Sequence, residues 1–174
     1  MPFSISSGAG VIFGVTGGVT EAALRRLVKE KSTQTLRDIK FSGIRGMDGI
    51  KAAEMELDSK VVRIAVVSGL GNARALIEQL KAGKVQYDFV EVMACPGGCV
   101  GGGGQPIPAE DEERYGVRGE RLYDLDKANP MRFSHENPNV QTLYTEFLGQ
   151  PLSEKAEELL HTDHTAWSMP NQSL

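Results

Sequence analysis

Cysteine is scarce in this 174-residue chain, which has two, Cys95 and Cys99. Two thiols exclude a self-contained cubane held by four thiolates. With three residues between them they also fit neither the usual zinc spacing nor the redox pair of thioredoxin-like enzymes, both of which take two. Positive charge is short as well: the net charge is −4, and no stripe of lysine and arginine offers a nucleic-acid surface. No apolar run approaches the ~20 residues of a membrane span, and no basic segment followed by an apolar one stands at the N-terminus. What remains is an ordinary composition, 40% apolar and 24% charged, in a chain the length of one domain. The expectation is a cytoplasmic protein with no nucleic-acid and no membrane partner.

Both cysteines fall in one run, Val92 to Pro106, which also holds six of the 20 glycines. An arbitrary pair of cysteines is more often buried and inert, but this context is unusual. The run follows the apolar stretch Tyr87–Met93, and Pro96 is a residue type that the first helical position tolerates, which places Cys95 at a helix N-cap. A helix continuing through Cys99 would set the two sulfurs four apart on one face, with free N–H groups nearby that favour negative charge. Gly97 and Gly98 remove side chains where a bound group must touch backbone, and Gly101 to Gly104 allow another close approach. No lysine follows these glycines, so a phosphate-binding P-loop is excluded.

Around this run the pattern is that of an α/β protein. Gly10–Phe13 reads as a strand remnant or a loop. Thr16-Gly-Gly18 starts a helix with Val19, Ala22, Ala23 and Leu27 at helical spacing. Two extended segments around Met47-Asp48-Gly49 read as a hairpin. Val61–Val67 is a strand covered on both faces, as in a parallel sheet. Asn72 is placed as the cap of a helix with Ala73, Leu76, Ile77 and Leu80 on one face and Gly83 at its end, and Val85–Met93 is the second strand. Strand, helix and strand form a crossover unit, and ligands of such sheets bind beyond the C-terminal strand ends, where Cys95 lies. Gly69-x-Gly71 lacks the third glycine of a dinucleotide fingerprint, Arg74 standing in its place.

Pro108–Asp126, dense in charge, reads as a solvated loop. Val140, Leu143, Tyr144, Phe147 and Leu148 recur at helical spacing and are expected to pack back on the core, and Ser153 caps a last helix through Leu160. His135 is expected to bond locally at a helix start, and His161 and His164 to be exposed. The fold expected is α/β, one lobe built on a parallel sheet with flanking helices, plus a small hairpin and a helical C-terminal segment. Residues 1–164 form the lobe and 165–174 a loose tail.

Glu91-Val-Met-Ala-Cys-Pro-Gly-Gly-Cys-Val-Gly-Gly-Gly-Gly-Gln-Pro106 resembles the last cysteine motif of the active-site domain of iron-only (FeFe) hydrogenases. Phe13-Gly-Val-Thr-Gly-Gly-Val-Thr-Glu-Ala-Ala-Leu-Arg25, Ser68-Gly-Leu-Gly-Asn-Ala-Arg74 and Ser134-His-Glu-Asn-Pro138 resemble that family too, in the same order, and the resemblance covers nearly the whole chain. It implies reversible reduction of protons to hydrogen at a six-iron centre, a 4Fe-4S cubane linked through one cysteine to a two-iron unit bearing CO and cyanide. Carried over by motif, Cys95 ligates the cubane, Cys99 bridges it to the two-iron unit, Met93 is an apolar wall beside that unit, and Phe13 and Gly14 lie against the active-site cluster. Thr20 stands where the family usually has methionine. The family's other two cysteine signatures, with the proton-relay cysteine, have no counterpart here. The resemblance therefore implies a C-terminal lobe within a longer protein, partnered by an N-terminal lobe with the other two cluster cysteines and by an electron carrier such as ferredoxin or NAD(P). It implies no catalytic residue in this piece and an inactive isolated chain. The alternative is a hydrogenase-like protein of iron–sulfur assembly.

Overall fold

A computed structural model describes residues 5–29, 49–57, 60–107 and 115–163. The chain divides into two compact units, one of Ser6–Ser134 and one of Met1–Ile5 with His135–Leu174.

The larger unit begins with α1 (Gly8–Val11), followed by a 3-10 turn at Ile12–Gly14. The expectation of a strand remnant or loop at Gly10–Phe13 is thereby corrected. Ser7 caps α1, its hydroxyl accepting from the Gly10 amide, and burial of Ala9 and Ile12 fixes the turns. Helix α2 (Gly18–Lys29) starts where Thr16-Gly-Gly18 predicts, yet its buried stripe is Thr20, Glu21, Leu24 and Arg25, not the apolar series. Ala23 and Leu27 are exposed, and Val19 and Ala22 are half-buried. Buried carboxylates, described below, take the polar face inward.

Strand β1 (Ile50–Leu57) pairs antiparallel with β2 (Lys60–Ser68), Ile50 opposite Val67 and Leu57 opposite Lys60. The first arm and the turn of the hairpin expected around Met47-Asp48 lie outside the described residues. The second arm is β1, whose partner is the strand that follows it. Helix α3 (Leu70–Lys81) then carries the chain to β3 (Phe89–Met93), which pairs parallel with β2, Ile64 opposite Phe89 and Ser68 opposite Met93. The sheet order is β1-β2-β3. β3 is shorter than the expected Val85–Met93, since the preceding Asp88 side chain accepts from the Arg63 amide at 2.8 Å at the point where pairing begins. α3 starts two residues before Asn72, which is not its cap: Gly69, at φ 87°, makes the turn, and the Asn72 side-chain Nδ2 donates to the Ser68 carbonyl at 2.7 Å. Ala73 and Leu76 are buried, Ile77 is exposed, and Gly83 ends the helix at φ 67°.

From Ile64 to Val67 the side chains of β2 alternate between two packed faces, which is why that stretch is apolar without interruption, whereas Lys60–Arg63 is exposed or half-buried. Ile64 and Val66 pack with Leu24 and Met55 on one side. Ala65 and Val67 pack with Ala73 and Leu76 on the other. Each Ile or Val buried in this way contributes about 1.5–3 kcal/mol.

The charged stretch up to Asp126 is not a solvated loop over its described part. Helix α4 spans Tyr115–Ala128, with Gly119, Tyr123 and Asp126 buried. Those three continue one helical face from Tyr115, but glycine and aspartate on that face hide it from a hydrophobic pattern. Tyr123, with Tyr115 and Leu122, packs on Ile12, Val15 and Val100.

In the smaller unit, α5 (Pro138–Leu143) runs into a π turn (Tyr144–Leu148) and is followed by α6 (Glu154–Leu160). Asn137 caps α5 through the Asn139 amide, and Ser153 caps α6 through the Ala156 amide, as Ser153 suggests. Leu148 is buried and Phe147 exposed, its ring under the Lys155 ammonium at 3.6 Å.

Candidate functional site

The parallel pair β2–β3 ends at Ser68 and Met93, and both strand ends feed the same place. The Gly69 amide donates to the Met93 carbonyl at 2.7 Å, and the Gly97 amide donates to the buried Ser68 hydroxyl at 2.9 Å. The cysteine turn is thus tied to the sheet edge from both strands. Cys95 is half-buried and Cys99 exposed, and neither is in a disulfide.

The turn between them is not a helix. Gly97 and Gly98 have φ of 76° and 96°, conformations that an α-helix forbids. The Gly98 amide donates to the Cys95 carbonyl at 3.0 Å, and only a three-residue 3-10 turn, Cys99–Gly101, follows. The expected N-cap at Cys95, and the stacking of both sulfurs on one helical face, are therefore replaced by a turn that loops over Pro96. The glycines serve close approach. A Cβ on Gly98 would lie 2.6 Å from the Gly14 carbonyl oxygen and 2.8 Å from the Thr16 nitrogen, and one on Gly97 would lie 2.7 Å from the Tyr115 ring. The Thr16 amide donates to the Gly97 carbonyl at 3.0 Å. So the Phe13-Gly14 turn and the cysteine turn, far apart in sequence, are in backbone contact, with Phe13 itself exposed and Met93 half-buried at the end of β3. A Cβ on Gly102 would lie 3.4 Å from the Cys95 sulfur, whereas Gly103 and Gly104 face open space.

Two residues without an assigned role in the sequence prove central. Glu91, in the middle of β3, is buried and accepts from the Gly17 amide at 2.7 Å, the Thr20 amide at 2.7 Å and the Thr20 hydroxyl at 2.6 Å. It does for α2 what a side chain at the N-cap would do and Gly17 cannot, and its charge complements the positive end of the helix. A lone carboxylate inside an apolar strand is the signal that marks it. Asp126, fully buried, is the other: both of its oxygens are held by Arg25, at 2.7 and 2.6 Å, and again by Arg132, at 2.9 Å each. Burial alone would raise the Asp126 pKa, but the hydrogen bonds and charge of Arg25, then of Arg132, outweigh it and hold the carboxyl below its ordinary value. For Arg25, burial pulls downward and is outweighed by the bonds to Asp126 and Glu21, so its pKa is raised.

His135 lies half-buried in a 3-10 turn, Ser134–Glu136, where its carbonyl accepts from the Gln141 side chain. His161 is exposed, 3.9 Å from Glu157, and His164 lies outside the described residues. Among the described residues, no group of three or more histidine, cysteine or acidic side chains converges as a metal site. Two accessible thiols on glycine-rich backbone at a sheet end do fit half of a four-thiolate set.

Residues 1–103 match the C-terminal domain of the iron-only hydrogenase large subunit, and residues 112–167 match the iron hydrogenase small subunit. The chain belongs to the iron-only hydrogenase family. It is 48% identical over 163 residues to an NADP-reducing hydrogenase subunit of Solidesulfovibrio fructosivorans, covering 94% of this chain and 28% of that protein. An apo FeFe-hydrogenase structure from Chlamydomonas reinhardtii superposes with a TM-score of 0.63 at 39% identity, over 93% of this chain and 47% of that one. Cytosolic iron-sulfur assembly component 3 of Rattus norvegicus is 34% identical over 163 residues, 92% of this chain and 33% of that protein. The chain thus spans less than half the length of each. Among the described residues, no helix is long and apolar enough to cross a membrane.

Proposed function

We propose that this chain is the C-terminal lobe of an FeFe-hydrogenase active-site domain, and that Cys95 and Cys99 supply two of the thiolates of a 4Fe-4S cubane. The observation that carries the reading is the accessible pair of thiols on a glycine turn bonded at once to the Ser68 hydroxyl and the Thr16 amide. When bound, the six-iron centre, with its CO- and cyanide-bearing two-iron unit, would supply the proton and electron chemistry. Protein contributes ligation and shape: Cys95 to the cubane, Cys99 as the bridging cysteine, Met93, Phe13 and Gly14 as walls. The other two cysteines come from an N-terminal lobe, electrons are exchanged with a carrier such as ferredoxin or NAD(P), and the protein works in the cytoplasm. Alone, the chain does not turn over hydrogen.

The similarity to an iron-sulfur assembly component supports a second reading, an assembly or interaction protein without hydrogenase activity. Iron, sulfide and EPR measurements on anaerobically reconstituted protein, with and without a co-expressed upstream lobe, separate the two. Cubane signal and hydrogen turnover only with the partner lobe, both lost in Cys99→Ala, support the hydrogenase reading. A cluster without turnover in the paired protein favours assembly, and no iron in either preparation overturns the cluster site.

A further inference from the structure

Directly after Cys99 and Val100 the chain makes a loop in which residues 101–104 are all glycine. Ordering glycine costs more backbone freedom than ordering any other residue, and Gly103 and Gly104 have open space where a side chain would pack. The path of this loop nevertheless bears on both thiols. A Cβ on Gly102 would lie 3.4 Å from the Cys95 sulfur and 3.3 Å from the Cys99 carbonyl oxygen, so the loop that leaves one cysteine folds back over the other. Two bonds within it, from the Gly102 amide to the Cys99 carbonyl at 3.0 Å and from the Gln105 side chain to the same carbonyl at 3.4 Å, give the loop shape but move with it.

Arg118, half-buried on α4, ties the loop to the rest of the molecule. Its Nη1 donates to the Val100 carbonyl at 3.0 Å and its Nη2 to the Pro106 carbonyl at 2.7 Å. These two acceptors stand at the two ends of the loop, so one planar guanidinium spans its mouth. The near end is fixed by packing as well, since Val100 is buried with Tyr115 and Tyr123. Gln105, Pro106 and Ile107 are all exposed, and the far end is returned by the guanidinium. The arm that holds it is placed by its neighbours on α4. Tyr115, one turn earlier on the same face, lies against the cysteine turn: a Cβ would be 2.7 Å from its ring at Gly97 and 3.3 Å from its Cβ at Gly101. We propose that Arg118 is a positioning residue for the cysteine pair, bracing the loop so that Gly102 stays over the Cys95 sulfur and the two thiols keep one relative placement. Its consequence for a cluster rests on the reading of Cys95 and Cys99 as ligands of one cubane, whereas the bracing itself is a property of the protein without iron.

The test is made first on the full chain without iron. Rates of maleimide labelling at Cys95 and Cys99 are read by mass spectrometry for wild type, Arg118→Lys and Arg118→Ala, under reducing, anaerobic conditions. Wild type is also measured in enough urea to match the global stability of each variant. Lysine keeps the positive charge but reaches only one of the two carbonyls. The expected result in both variants is a Cys95 rate about tenfold above that of the stability-matched wild type, with the Cys99 rate changed less than about twofold. A Cys95 rate no higher than in the matched wild type overturns the proposal, because Arg118 would then be an ordinary stabilising residue. So does a rise confined to Arg118→Ala, which would assign the effect to charge and not to the two-carbonyl brace. Reconstitution with iron and sulfide beside the upstream lobe then reads the consequence: a cubane EPR signal that is sharp in wild type and broadened in Arg118→Lys is expected, and identical signals overturn the positioning of the ligands. No cubane in the wild type would instead remove the ligand reading and leave the labelling result standing.

Discussion

The Thr20 hydroxyl donates to the Glu91 carboxylate at 2.6 Å, and the Thr20 amide donates to the same oxygen at 2.7 Å. This contact joins the start of α2 to the strand that ends at the cysteine turn, and it places a carboxylate where the helix has unsatisfied N–H groups. Thr20→Val retains the shape and loses one charge-assisted bond, so it is expected to lower stability by about 1.5–3 kcal/mol. Glu91→Gln turns an amide nitrogen toward a donor in either orientation, leaving Gly17 or Thr20 unsatisfied, and should cost at least as much. Urea unfolding of both variants checks the order; equal stability of Glu91→Gln and wild type would show that the carboxylate does not cap α2.

Gly98 is held at φ 96° and ψ −163°, with its α-hydrogens against the Gly14 carbonyl. That backbone region belongs to glycine, and the space for a methyl group is taken by main chain rather than by a side chain that could move. Gly98→Ala is therefore expected to cost about 2–4 kcal/mol or to release the cysteine turn from the Gly14–Thr16 segment. In contrast, Gly103→Ala, with open space around it, should be close to neutral. Thermal unfolding measures the pair, and amide exchange at Thr16, which bonds to the Gly97 carbonyl, reports whether the turn has lifted.

Asp126 has a carboxyl pKa lowered by its two arginines. The folded state therefore binds fewer protons than the unfolded state in the interval between that lowered value and the ordinary aspartate value of about 3.9. The stabilisation is full above this interval and is lost as pH falls through it. Arg25, with its pKa raised, is charged in both states at any pH of interest and so adds no slope there. Stability measured between about pH 5 and pH 2 should fall steeply in the wild type. A folded Asp126→Asn protein should show a shallower fall from a lower plateau, and an unchanged slope would assign acid sensitivity to other carboxylates.

The strands and helices that bury aliphatic side chains were legible in the sequence because their periodicity is hydrophobic. β2, α3 and the capped α6 stand where a nearly continuous apolar run, helical spacing and Ser153 put them. α4 was not, because its inward face is carried by Gly119, Tyr123 and Asp126, and a buried aspartate is indistinguishable from a solvated one until its partner Arg25 is found 101 residues earlier. The α2 stripe was misplaced for the same reason: Arg25 and Glu21 face inward only because Asp126 is there to receive them. At the candidate site, the motif located both cysteines but not the path of the turn. A proline after Cys95 suits a helix start, yet the Gly97-Gly98 pair permits positive φ, and the close approach of Gly14 and Tyr115 selects it.

Thiol accessibility offers a test of the site that does not depend on turnover. Cys99 is exposed and Cys95 half-buried, its sulfur close to the Gly102 backbone. In the native protein under reducing, anaerobic conditions, a maleimide should label Cys99 first and Cys95 more slowly, since access to the sulfur governs the rate together with its ionisation. Unfolding should bring the two rates together. If the two thiols bind one cubane with the partner lobe, reconstitution with iron and sulfide in the presence of that lobe should protect both together, and Cys95→Ser should leave Cys99 open to labelling under the same conditions. Protection of Cys99 alone would instead mean that the turn does not deliver both sulfurs to one object, and the pairing of Cys95 with Cys99 as ligands of a shared cubane would have to be given up.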